Sequence, residues 1–258
     1  MSLSTTFDPV QEKAFLNGLV SDYQDVSPYS KLKKDVILRL LETYLLGSKE
    51  KTGLQYGCAN GYETQELASR LRSLTVVDGS SVFVDRLLAA NEHANTSFVC
   101  SLFEDFDFST HPVKYDYVFC SYIFEHVFDP SIVLANIKTL LKPGGLLFVV
   151  VPNYLALSRQ IALKMGLIQR LEDLTENDHR HGHRRVYSRD SLCREITSAG
   201  LTVRHIKGIV LKILADFQLN KLLGNGFLTP AHIVALQELA QEPQNVELSD
   251  SMLLVATL

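Results

Sequence analysis

The chain has 258 residues, 46% of them hydrophobic, and a formal net charge of −4. That is apolar material enough for a single α/β domain with elaborations, and the absence of a basic stripe with interleaved aromatics argues against a nucleic-acid partner. No apolar run reaches the roughly 18 residues of a membrane span. The start, Met1 to Asp8, is not expected to be a signal peptide, and Cys58, Cys100, Cys120 and Cys193 fall in no paired spacing, so reduced packing cysteines in a cytoplasmic protein are expected.

Residues 8–47 read as helical, with Ile37, Leu38, Leu40, Leu41, Tyr44 and Leu45 on one apolar face and Gly47 at the stop. Leu54-Gln55-Tyr56-Gly57-Cys58-Ala59-Asn60-Gly61 reads as a short strand, a Gly-rich turn and the start of a helix. Such a turn lets backbone approach a ligand, and the helix start offers unpaired N–H groups to an anion. It fits the dinucleotide pattern G-x-G-x-x-G poorly, because Tyr62 takes the third glycine's place. The next strand, Leu74-Thr75-Val76-Val77-Asp78, ends on a carboxylate 17 positions after Gly61. Asp78 can accept hydrogen bonds from both ribose hydroxyls, or cap the helix opened by Ser80 and Ser81.

Phe98 to Asp105 reads as a third strand and its exit loop, and Tyr115 to Ser121 as a fourth strand. In Glu125-His126-Val127-Phe128-Asp129-Pro130, Asp129 suits a helix N-cap and Pro130 the first turn. Ile132, Val133, Ile137, Leu140 and Leu141 give that helix an apolar face, and Lys142-Pro143-Gly144-Gly145 is expected to stop it before a buried fifth strand. Ser188 caps a helix running to Gly200, and Leu201–Ile206 and Met252–Ala256 are the last strands. Strands alternating with helices predict a doubly wound, Rossmann-like parallel sheet.

Together these segments resemble the class I S-adenosylmethionine (SAM)-dependent methyltransferases. The Glu125-His126-Val127 stretch is similar to the ubiquinone-biosynthesis type and related bacterial small-molecule enzymes. The resemblance implies seven strands with the last reversed against the sixth. It implies a single domain over 1–258: a helical cap (1–50), a SAM-binding core (51–153), and insertions at 154–187 and 211–250 near the acceptor. SAM would contact Gln55, Gly57, Cys58, Ala59, Gly61, Asp78, Gly79 and Ser121, with Ser101, Leu102 and Phe103 at the adenine edge. S-adenosylhomocysteine (SAH) would be the product. Gln55 stands where many relatives carry Asp or Glu, and Ala59 replaces a glycine. A SAM-binding pseudoenzyme and a nicotinamide-dependent oxidoreductase are the alternatives.

Methyl transfer to oxygen or nitrogen needs in-line positioning and, for a hydroxyl, a proton acceptor. The candidates are His126, and His183 with Tyr187, which resemble a G-H-x-x-x-Y stretch in related enzymes. Arg159, Arg184 and Arg185 can clamp an anionic acceptor, with Asn153 beside them. The same loop can equally be a solvated basic cover. His179, His181 and His183 stand at alternate positions, but nothing completes a metal set, so no metal is expected. A small anionic metabolite, a natural-product intermediate or a sugar derivative fits as acceptor, and a homodimer is possible. Lys212, Asp216 and Asn220 share one helical stripe, read as part of an amphipathic helix packed on the sheet.

Overall fold

The computed structural model describes residues 7–21, 27–106 and 113–258. Two helices come first, α1 (Pro9–Gly18) and α2 (Pro28–Leu45). Asp8 and Ser27 cap them, each followed by proline in the first turn. Then come β1 (Thr52–Tyr56), α3 (Tyr62–Arg70), β2 (Ser73–Asp78), α4 (Ser81–Ala90), β3 (Thr96–Cys100), β4 (Tyr115–Ser121), α5 (Pro130–Leu140) and β5 (Leu141–Pro152). The chain continues with α6 (Leu157–Lys164), α7 (Glu176–Arg180), α8 (Arg189–Ser198), β6 (Thr202–Ile209), α9 (Asp216–Gly224), α10 (Pro230–Ala240) and β7 (Ser251–Thr257).

The strands form one sheet in the order β3-β2-β1-β4-β5-β7-β6. The first five are parallel, and β7 runs antiparallel between β5 and β6. This is the expected Rossmann-like sheet with its reversed last strand. Side chains alternate between the two faces. Leu54, Tyr56, Val118, Cys120 and Leu147 pack toward α5 and α8, against Val133, Ile137, Leu192 and Ile196. Val76, Phe119, Phe148 and Leu253 pack toward α2 and α3, against Val36, Ile37, Leu41 and Leu67. Burying each large apolar side chain contributes roughly 1.5–3 kcal/mol, which holds helices on both faces. From β1 the strand order grows one way to β2 and the other way to β4. The crevice beyond the carboxyl ends of β1 and β4 is where such sheets bind ligands.

Two expectations change. Lys142-Pro143-Gly144-Gly145 lies inside β5: Leu141 pairs with Tyr115, and the register then jumps to Leu146 opposite Tyr117. A Cβ on Gly145 would meet the Lys142 carbonyl at 2.9 Å, so close backbone approach explains the glycine. The Lys212–Asp216–Asn220 stripe faces α2, not the sheet. Asn220 Oδ1 accepts from Tyr29 N at 2.9 Å, while Ile213 and Phe217 are exposed. Lys33, carried by α2, supplies the charge that draws this polar side inward, 3.9 Å from Asp216.

Candidate active site

Backbone strain concentrates at one edge. Ala59 (φ 43), Tyr122 (φ 56) and Val210 (φ 50) are left-handed without being glycine. Each lies just beyond the carboxyl end of its strand, β1, β4 and β6. Such positions cost of order 1–3 kcal/mol and gather at functional sites.

The turn after β1 is tightly enclosed. A Cβ on Gly57 would come 2.4 Å from Ile123 Cδ1, and one on Gly61 2.5 Å from Leu87 Cδ2. Cys58 N donates to Asp78 Oδ2 at 2.9 Å, the Cys58 thiol lies 3.3 Å from the same oxygen, and Ser80 N donates to Oδ1 at 2.8 Å. Burial raises the Asp78 pKa, and these donors oppose the rise. Gln55 is buried, with Nε2 donating to the Gly57 carbonyl at 2.9 Å and Oε1 without a partner among the described residues. Ser101 N donates to the Asp78 carbonyl at 3.0 Å, and the Phe103 ring meets Tyr56 edge-on. A Cβ on Gly79 would strike Leu16 of α1 at 2.5 Å and Leu102 at 3.0 Å. Ser121 Oγ donates to Glu63 at 3.3 Å, and Lys34 of α2 reaches Asn60 in the turn at 2.9 Å.

The turn after β4 leads into a second group. Glu125 is wholly buried, and among the described residues neither carboxylate oxygen has a hydrogen-bond partner. Burial pushes its pKa up to about 7, with His183 pulling the other way. His126 Nε2 lies 3.9 Å from Glu125 Oε1. Burial, then the neighbouring His183, lowers the His126 pKa to about 3, which makes it a neutral imidazole near pH 7. Its ring meets that of His183 edge to face at 4.8 Å. His183 Nδ1 stands 2.9 Å from Asp178 Oδ1, off the line of a good hydrogen bond. One ligand atom each from Glu125, His126 and His183 lie within 4.8 Å of one another. Two imidazoles and a carboxylate are a set that handles protons and also suits a divalent transition ion. The set takes one histidine from the alternating run; His181 is instead turned to the Asn177 carbonyl at 2.8 Å.

Other expected acceptor residues are engaged by the chain itself. Tyr187 donates to Glu195 Oε2 at 2.6 Å inside the core. Asn153 Nδ2 bonds the Glu247 and Ser249 carbonyls, and its Oδ1 accepts from Leu155 N. Arg159 pairs with Asp178 and the Leu171 carbonyl, Arg184 with Glu12, and Arg185 with the carbonyls of Phe124, Val127 and Phe128. The three guanidiniums therefore do not converge on a common anion site. Opposite them, Asp250 receives Lys33 at 3.3 Å and Lys212 at 2.7 Å, and Lys33 lies over the Tyr122 ring at 5.1 Å.

A family described as a methyltransferase domain matches residues 28–206. The chain belongs to the class I SAM-dependent methyltransferases. A ubiquinone biosynthesis O-methyltransferase of Aeromonas salmonicida is 31% identical over 173 residues, covering 65% of this chain and 70% of the relative. One of Idiomarina loihiensis is 28% identical over 222 residues, covering 83% and 88%. The N-methyltransferase NodS of Bradyrhizobium japonicum, solved with SAH, shares the fold with a TM-score of 0.58 at 15% identity, covering 94% of this chain and 96% of that one.

The methyltransferase's residues fit the cofactor. Gln55 Oε1, without a partner among the described residues, suits an ammonium donor, since a buried polar atom left unpaired costs about 1–3 kcal/mol. Gly57 and Gly61 turn at φ 75 and 80, where a Cβ would strike Ile123 and Leu87, so glycine lets the turn pack this tightly beside the crevice. Sequence reasoning missed Lys33, Lys34 and Asp178. Lys33 carried a signal: it lies on the stripe of Tyr29, Val36, Ile37 and Leu41, the buried side of α2. A charge on an apolar stripe calls for a partner.

Proposed function

We propose that this methyltransferase acts on a hydroxyl or amine of a small molecule seated beyond β4, between Tyr122 and the Glu125–His126–His183 group. One observation carries the reading. Glu125 and His126, from the segment after β4, and His183, from a segment over 50 positions later, converge beside the strand that pairs Cys120 with Tyr56. The group therefore stands next to the Gly57 turn. Bound SAM supplies a methyl group on a positively charged sulfur. Gln55 and Asp78 hold its amino-acid and ribose ends, and Ser101 to Phe103 flank its adenine. His183 accepts the proton of a hydroxyl acceptor, and His126, held neutral, presents the adjoining wall. The O-methyltransferase relatives favour a hydroxyl, while the structural neighbour acting on nitrogen keeps an amine in play. Tyr187, Arg184 and Arg185 bond carbonyls of residues 124–128 behind that wall, and Arg159 holds Asp178, so the proposal includes no arginine clamp.

The test is mass spectrometry of SAH and methylated product across hydroxyl and amine acceptors, comparing wild type with His183→Ala. We expect turnover to fall by roughly 10²–10⁴, the usual worth of a general base, with SAH affinity nearly intact. Unchanged turnover on a hydroxyl acceptor would remove His183 from the chemistry.

A further inference from the structure

We infer that Asp178 is the positioning carboxylate of His183, keeping the ring proton on Nδ1 and leaving Nε2 as the basic nitrogen offered to the acceptor. The inference rests on the reading of His183 as the proton acceptor.

The geometry around Asp178 is asymmetric. Its Oδ2 takes three donors: Thr175 N at 2.8 Å, Thr175 Oγ1 at 2.7 Å and Arg159 Nη1 at 3.2 Å. Arg159 is itself fixed to the Leu171 carbonyl at 2.8 Å. With Oδ2 so held, Oδ1 faces His183 Nδ1 at 2.9 Å. The backbone sets the spacing, since His183 N donates to the Asp178 carbonyl at 2.9 Å. Between them Gly182 turns at φ +80 beneath Phe15 and Leu19, where a Cβ would sit within about 3 Å of both. Capping α7 needs only Oδ2, so the cap leaves Oδ1 unexplained. Burial works against ionisation of Asp178, yet the nearby His183 ring and the Thr175 donors hold its pKa below the usual carboxylate range. A neutral imidazole has one donor and one acceptor nitrogen, and an ionised carboxylate can accept only. The Nδ1 proton is thereby kept in place.

Asp178→Asn tests this sharply. The three donors on Oδ2 demand an acceptor, so the amide oxygen turns to them and the NH₂ faces His183. Nδ1 must then accept, and the proton moves to Nε2. The experiment is ¹H–¹⁵N spectroscopy of the imidazoles in the full chain with chelator present, at a pH where His183 is neutral, assigned with His183→Gln. We expect the Nδ1–H tautomer in wild type and Asp178→Glu, and Nε2–H in Asp178→Asn with SAH affinity unchanged. Nε2–H in wild type overturns the inference even if no variant folds, and so does Nδ1–H in folded Asp178→Asn. If the tautomer switches while turnover on a hydroxyl acceptor does not fall at least tenfold, the positioning stands and the base assignment of His183 fails.

Discussion

Asp78 and Cys58 close the carboxyl edge between β1 and β2: the Asp78 carboxylate accepts from Cys58 N at 2.9 Å. The carboxylate proposed for the ribose therefore also braces the glycine turn. Asp78→Asn is expected to weaken SAH binding by roughly 2 kcal/mol, the range for hydrogen bonds to a charged group, and to lower the melting temperature without ligand. Calorimetry and thermal melts separate the two effects. Full SAH affinity would remove the ribose role; an unmoved melt would remove the brace.

Gln55→Glu replaces the donor to the Gly57 carbonyl with a second acceptor. The unliganded protein should lose stability, by about 1–3 kcal/mol if the carbonyl is left unpaired. The added negative charge faces the position assigned to the ammonium, so SAH should raise the melting temperature more than in wild type. A smaller ligand-induced shift would show that Gln55 does not face the amino-acid end.

Ala59 is left-handed at φ 43. An alanine there costs about 1–2 kcal/mol, offset in part by the roughly 0.4–1 kcal/mol that glycine adds to unfolded-chain freedom. Ala59→Gly should therefore be neutral to about 1.5 kcal/mol stabilising by urea titration. A clear destabilisation would mean that the methyl group makes packing contacts outweighing the strain.

Glu125 predicts a pH effect with a definite sign. Burial raises its pKa from the ordinary 4.5 to about 7. Across that window the folded protein keeps a proton that the unfolded chain releases, so this group's contribution to stability falls as pH rises. At about 1.4 kcal/mol per pKa unit, the loss reaches roughly 3 kcal/mol above pH 7. Glu125→Gln cannot ionise, so it should gain on wild type between pH 5 and pH 8 in urea titrations. A pH-independent difference would show that Glu125 is ionised in the native protein near neutrality.

The fold was legible because its signals are local. Strand-turn-helix at Gly57–Gly61, the Asp129–Pro130 cap and Ser188 each act within a few residues, and β1 to β5 follow from the alternation they punctuate. The Lys142–Gly145 bulge was not legible, since it depends on which residues of β4 lie opposite. The acceptor side was harder. Arg159, Arg184 and Arg185 looked available because a sequence does not show the carbonyls that occupy them. Asp178 looked like one residue of a polar loop; only the turn through Gly182 sets it against His183. The Lys212–Asp216–Asn220 stripe was legible but its orientation was not, because that depends on Lys33, about 180 positions earlier.

The proposed SAM site lies beyond the carboxyl ends of β1, β2 and β4, beside the Glu125–His126–His183 group. The direct measurement is a backbone-amide NMR titration of the full chain with SAH. Saturable shifts are expected at Gly57 to Gly61, Gly79, Ser101 to Phe103, Ser121 and His126. Asp116 and Gly145, at the opposite end of the strands, should stay fixed, and NAD should produce no such pattern. Shifts centred on Asp116 and Gly145, or none with SAH at millimolar concentration, would contradict it.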